Sequence, residues 1–455
     1  MPQRRPRQGG AMSEPAYRPA RSLTRFPHVR ERMPGSDLAI GLDSPDHGAP
    51  FYLYEAGHLL IGGRNGERRA LLTAAVARVP GVDALVPAGR GPCEPVGRYR
   101  VESSSGISVP EVMAEVDARI PGNREIPVVT PNHVLTIAGT CLLPESEPVP
   151  VRQALPYPAP MEPGGPHPVA VHLADTGLVP AHTALAAGAT WMAGVRGEQG
   201  PAFDSGDIPP YAGHGTFAGG IVGCLAPTAA VHVSACLGGG AVTEYDLCRG
   251  LLRAIGSGRV PDVIGLVSGA ATRGGHPLLA MDAIIGWAER SLRRIGRPVL
   301  VVAAGDNASA VPPWPAGYAA ISPSVLSVGA LDQGQPPRRA CFSNHGPWVK
   351  VYASGERLVN VFPHGRYRYR HGPAEVCDAD ALTPGRGETR RFAGGLARWS
   401  GTSLATPLVA GLIARRVART GRTAREAAAD VMAFARSQAG AGPLPAVLTA
   451  DNEIV

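Results

Sequence analysis

The chain has 455 residues, 44% of them hydrophobic, and a formal charge of +7, which suits two or three domains with ordinary globular cores. No run reaches the roughly 18 to 20 uninterrupted apolar residues of a membrane span, and the N-terminus lacks a signal-peptide core, so a cytoplasmic protein without a membrane partner is expected. The charge excludes a basic nucleic-acid face, because residues 1–35 hold eight arginines against Glu14 and Glu31 and the remainder is nearly neutral.

Taken in chain order, residues 1–35 read as a disordered Pro/Arg-rich tail. Residues 36–142 follow as a small α+β domain. Extended runs are expected at 51–61, 82–86, 97–103 and 126–138, and helices at 67–79 and 109–120. The order βαββαβ is that of a ferredoxin-like split βαβ unit. Residues 143–168 are so rich in proline that neither helix nor sheet is expected to continue, and they read as an extended linker.

From Val169 to about residue 440 the pattern becomes buried strands separated by helices. Continuous apolar runs at 169–174, 230–237, 262–269, 298–305, 325–331 and 349–354 suit a mostly parallel sheet covered on both faces. Met281, Ile285, Ala288, Leu292 and Ile295 recur at helical spacing between two of them. The fold class expected is therefore α/β, a doubly wound mostly parallel sheet, preceded by the ferredoxin-like domain. The run 362–398 reads as an irregular surface loop, Thr423 and Glu426 as the capping box of a last helix, and 441–455 as a tail. The seven cysteines are odd in number and without CxxC spacing, so free buried thiols are expected.

Chemistry in such sheets gathers beyond the carboxyl ends of the strands. Three stretches carry candidate groups: "LADTG", with Asp175 at a strand's carboxyl end, "YAGHGTFAGGIVG", with His214 before a Gly-rich helix start, and "WSGTSLATPLVAGLIA", with Ser403 at the entry of a helix. Singly they read as a turn residue, a capping histidine and a helix N-cap. Together they supply a hydroxyl nucleophile, an imidazole base and a carboxylate to orient it, which is what acyl transfer requires.

These motifs, in this order on this background, resemble the signatures of subtilisin-like serine proteases, the subtilases of peptidase family S8, over about residues 165–420. The resemblance implies a serine endopeptidase with Ser403 as nucleophile, His214 as general base and acid, and Asp175 as orienter. It further implies that Val267, Ser268 and Gly269 pair with substrate backbone, and that the residue after Gly305, with Ser403, forms the oxyanion hole. The family has Asn there. This chain has Asp306, then Asn307.

Three consequences stay open: a protonated Asp306 donates, Asn307 replaces it, or the enzyme is weak. The alternatives to a hydrolase are an inactive subtilase-fold scaffold and a peptide ligase or macrocyclase using the same acyl-enzyme. The small first domain resembles the family's propeptides, which makes it an expected intramolecular inhibitor beside a peptide or protein substrate. No cofactor or metal site is expected. Calcium is common among relatives, but "DSGD" (204–207) is too short to assign a site.

Overall fold

The structure is a computed structural model that describes residues 38–42, 51–63, 65–89, 96–137, 147–152, 155–179, 188–203, 206–256, 260–291, 298–370, 384–440 and 442–451. The expected tail at 1–35 lies outside the described residues.

The first unit begins with β1 (Leu38–Leu42), antiparallel to β2 (Phe51–Gly62). Then come α1 (Gly66–Val76), β3 (Ala84–Pro87), β4 (Val96–Glu102), α2 (Val109–Arg119) and β5 (Val129–Thr136). Sheet order runs β5-β2-β4-β3 with antiparallel neighbours, so β4 separates β2 from β3 as in a split βαβ unit. The apolar run Leu59-Leu60-Ile61 serves two faces. Leu59 and Ile61 pack with Val112, Met113 and Val116 under the helices. Leu60 turns the other way, joining Val96 and Leu135 in the core that also holds Val233 and Leu278 of the second unit.

Two residues of β6 (Val149–Pro150) follow, then the second unit. Its elements are β7 (Ala170–Ala174), β8 (Val195–Gly197), α3 (His214–Leu225), β9 (Ala230–Ser234), β10 (Ala241–Thr243) and α4 (Glu244–Gly256). They continue with β11 (Val263–Leu266), α5 (Met281–Ser291), β12 (Val299–Ala303), β13 (Val325–Leu331) and β14 (Val351–Ser354). After β15 (Leu358–Val361), β16 (Gly365–Arg368), β17 (Thr389–Phe392) and β18 (Leu396–Trp399) come α6 (Thr402–Thr420), α7 (Ala424–Ala439) and β19 (Val447–Leu448).

Eight strands form one parallel sheet, ordered β19-β14-β13-β12-β11-β7-β9-β8. The small residues of α6 serve close packing: a Cβ at Gly411 would meet Leu225 Cβ of α3 at 3.0 Å. Pro407 is the sixth residue of α6, deeper than a first-turn position. Its missing N–H leaves the Ser403 carbonyl without its usual helical donor. The capping box expected before α7 is present, with the Thr423 N–H donating to Glu426 Oε2 at 3.0 Å.

Three segments and one cysteine depart from the sequence reading. Within 143–168, β6 pairs with β18, and Tyr157 bridges Val359, so the described part of this run is laid along the second unit. β6 lies at the edge of its sheet, where a strand tolerates proline. Within 362–398, β16 and β17 form an antiparallel hairpin, and the alternation Arg366-Tyr367-Arg368-Tyr369 is the period-2 signal that explains it. Within 441–455, β19 supplies the eighth strand of the large sheet by burying Val447 and Leu448. Finally, Cys341 is disulfide-bonded, whereas Cys224, Cys236 and Cys248 are free. Cys341 is exposed, so it is not the buried apolar thiol that was expected, and such a cross-link persists in oxidising surroundings. Among the described residues no helix is long and apolar enough to cross a membrane.

Candidate active site

Strand β7 ends at Ala174, so Asp175 lies at its carboxyl end, fully buried. Its Oδ1 accepts from the Thr176 N–H at 2.6 Å. Gly177, at φ 77°, makes the following turn, where a Cβ would lie 2.8 Å from Ala235 Cβ. The hydroxyl of Thr176 ties this turn to α3, donating to the Tyr211 carbonyl at 3.2 Å and accepting from the Gly215 N–H at 3.0 Å. Gly213, in the left-handed region, then opens α3 and delivers His214 as its first residue.

The His214 ring joins the other two. Nδ1 lies 2.8 and 3.0 Å from the two Asp175 carboxylate oxygens, and Nε2 lies 3.0 Å from Ser403 Oγ. In the tautomer this favours, Nδ1–H donates to Asp175 and Nε2 accepts from the serine hydroxyl. Trp399 packs edge-on against the imidazole, with ring centres 5.1 Å apart and planes at 82°. Sequence inspection gave Trp399 no role, although it opens the serine motif.

Ser403 is the second residue of α6, at the positive end of the helix dipole. Gly401 must stay a glycine, because a Cβ there would lie 2.9 Å from Ser403 Oγ and 3.6 Å from Asp306 Oδ2. Both groups therefore flank one small space. Asp306 is buried, and its Oδ1 accepts from the Thr402 N–H at 2.8 Å. Burial pushes its carboxyl up to about 6, against the lowering effects of the Thr402 hydrogen bonds and the His214 charge. The Thr402 hydroxyl accepts from the Gly305 N–H at 3.0 Å and so fixes the approach of this loop. The Asn307 N–H instead donates to Asn344 Oδ1 at 3.0 Å. Nothing in the sequence had marked Asn344, since its work is done from a distant loop.

The segment expected to receive substrate is already paired. Val267 and Ser268 are buried, and Gly269 exchanges both backbone hydrogen bonds with Thr136, each 3.0 Å. On the other side β10 pairs antiparallel with β5, matching Ala241 to Thr136, and the Ile137 N–H donates to the Gly240 carbonyl at 3.0 Å. The end of β5 thus lies between Gly269 and β10 as a middle strand. Buried polar contacts hold it there: His133 Nδ1 lies 3.2 Å from Glu244 Oε2, and the Tyr245 N–H donates to Asn132 Oδ1 at 3.2 Å. Farther out, Arg273 pairs with Asp117 at 2.7 Å.

Among the described residues no group of three or more His, Cys, Asp or Glu side chains is placed to hold a metal. Asp204 and Ser205 of the acidic stretch at 204–207 lie outside the described residues.

A sequence profile of the subtilase family matches residues 167–440. A thermophilic serine proteinase from Bacillus sp. (strain AK1) is 32% identical over 196 residues, covering 43% of this chain and 37% of that protein. A subtilisin-like protease from Coccidioides posadasii (strain C735) is 29% identical over 202 residues, covering 43% of this chain and 46% of that protein. The matches thus span less than half of either relative's length. Among solved structures, fervidolysin from Fervidobacterium pennivorans, described as a keratinolytic enzyme related to subtilisin, aligns with a TM-score of 0.50 and 16% identity. That alignment covers 88% of this chain and 62% of fervidolysin, and shows likeness of fold.

Proposed function

Because this chain belongs to the subtilase family, we propose that it is a serine endopeptidase that uses Asp175, His214 and Ser403, held latent by its own N-terminal unit. The observation that carries the reading is the relay from Asp175 through His214 to Ser403, with hydrogen-bond distances of 2.8 and 3.0 Å. In this reading His214 Nε2 takes the hydroxyl proton as Ser403 Oγ attacks the scissile carbonyl carbon. The same nitrogen returns the proton to the departing amine as the C–N bond breaks. Water then repeats the sequence on the acyl-enzyme. Asp175 holds the tautomer and stabilises the imidazolium.

The oxyanion forms beside the N-terminus of α6, where the Ser403 N–H is one donor. Asp306 supplies the second when it is protonated. Its Oδ1 is engaged by Thr402, and its Oδ2 is the oxygen that borders Gly401 with Ser403. Asn344 Oδ1 fixes the Asn307 backbone in place, and Asp306 is the residue whose side-chain oxygen borders Gly401 with Ser403, which favours Asp306 in this role.

Residues 36–142 act here as the inhibitor of a catalytic domain at 169–440, since β5 occupies the edges that a substrate strand would use. Activation then requires a break between Ile137, which sits in the cleft, and Glu147, where the chain is already bound to the second unit. Intact mass spectrometry checks this. Wild-type protein is expected to resolve into two fragments with the new ends between residues 137 and 147, while Ser403→Ala stays whole; an uncut wild type after long incubation contradicts self-processing. A second reading, a binding scaffold without turnover, draws on the buried carboxyl of Asp306, which repels an oxyanion once ionised. It predicts an uncut chain that also fails to react with serine-directed probes.

A further inference from the structure

The hairpin of β16 and β17 is joined at both ends to segments that border the active site. Phe362, just before it, abuts Gly213, the residue before His214: a Cβ on that glycine would lie 3.0 Å from the Phe362 ring. β18, just after it, runs into Trp399 and the serine motif. The inner face of the hairpin is buried through Tyr367 and Phe392. It already receives a carboxylate of this chain: Glu147 accepts from the Tyr367 hydroxyl at 2.8 Å and from the Arg370 N–H at 3.1 Å.

The outer face is arginine. Arg366 stands directly opposite Arg391, and Arg368 is the next outward residue on β16, all three exposed. Like charges directly opposed on antiparallel strands destabilise the pair, so local stability does not account for this arrangement. Arg366 is met by Asp207 at 2.8 Å, a pair more than half exposed on both sides and therefore weak. No ion pair to Arg368 or Arg391 occurs among the described residues.

We propose that this outer face, with Arg366, Arg368 and Arg391, is an exosite for acidic segments of the protein substrate. Calling the bound segment a substrate rests on the peptidase reading; the binding itself does not. The first test is therefore made on full-length Ser403→Ala with two fluorescein-labelled peptides, one of alternating glutamate and glycine and one with glutamine in place of glutamate. The glutamate peptide is expected to bind about tenfold more tightly, and Arg368→Gln with Arg391→Gln to erase the difference. Salt at ~0.5 M should erase it too.

Equal binding of the two peptides, or a difference that survives the arginine substitutions, overturns the proposal. The acids Glu375, Asp378 and Asp380, in the sequence between the two strands, would give the first of these results if they fill the face themselves. The second test uses processed enzyme and a neutral peptide core carrying a glutamate or glutamine tail. The glutamate tail is expected to lower KM, with kcat unchanged, in wild type and not in the arginine variant. Equal KM values in wild type overturn the exosite, whereas no cleavage of either peptide, with selective binding intact, counts against the peptidase reading alone.

Discussion

Asp306 meets Thr402 with one oxygen and borders the serine with the other, so in the proposed oxyanion hole its proton decides the sign of its effect. A neutral carboxyl donates to a developing oxyanion; a carboxylate repels it. With the carboxyl pushed up to about 6, the donor form is lost progressively above that pH. Asp306→Asn keeps a donor at every pH. Its activity relative to wild type should rise about tenfold per pH unit above roughly 6, toward the ~10² to 10³ that one oxyanion donor is worth in subtilisin itself. Parallel pH-rate curves for the two proteins would remove Asp306 from the hole.

Stability follows from the same shift. A carboxyl whose folded value exceeds its unfolded one holds extra protons between about 4 and 6 in the folded state, so folding weakens as pH rises through that window. In the Ser403→Ala background, Asp306→Asn should therefore be more stable by about 1 to 3 kcal/mol at pH 8 and nearly equal below pH 4. Urea unfolding at both pH values measures the difference. At this scale the sequence was legible wherever chemistry demands a residue type: an Asp, a His and a Ser at strand or helix ends. It was silent on Asn344 and Trp399, whose roles are contacts made across the fold rather than local patterns.

The elements were legible where their periodicity is undiluted. Parallel strands buried on both faces, such as β11 and β12, stand out as apolar runs. Short strands such as β6, β10 and β19 do not, because two or three residues carry no period and their pairing partners lie far along the chain. The run Leu59-Leu60-Ile61 puts an apolar residue on each face, which says that both faces are covered. Leu60→Asp is expected to separate the two units while sparing the core formed by Leu59 and Ile61. An unpaired charge in that interface costs several kcal/mol. Limited thermolysin digestion, which cuts before apolar residues such as Leu142, should then cleave between residues 137 and 147 far faster than in the parent Ser403→Ala protein. Unchanged digestion would mean that Leu60 does not hold the units together.

At the scale of the molecule, the end of β5 lies between Gly269 and β10, and in the proposed reading that strand covers the relay. β5 makes backbone hydrogen bonds on both its edges and is backed by the buried contacts of His133 and Asn132, so its place between Gly269 and β10 is part of the folded structure. The order of units along the sequence suggests a propeptide-like first unit; the register, with Thr136 between Gly269 and Ala241, comes only from the structure. The central claim is that Ser403 is an activated nucleophile once that strand has left. The most direct test is intact mass after exposure of processed protein to a fluorophosphonate probe, beside Ser403→Ala. One adduct on wild type, carried by the fragment that begins between residues 138 and 147 and absent from the variant, is the predicted result. A processed wild type that takes up no probe, or a variant labelled equally, would contradict it.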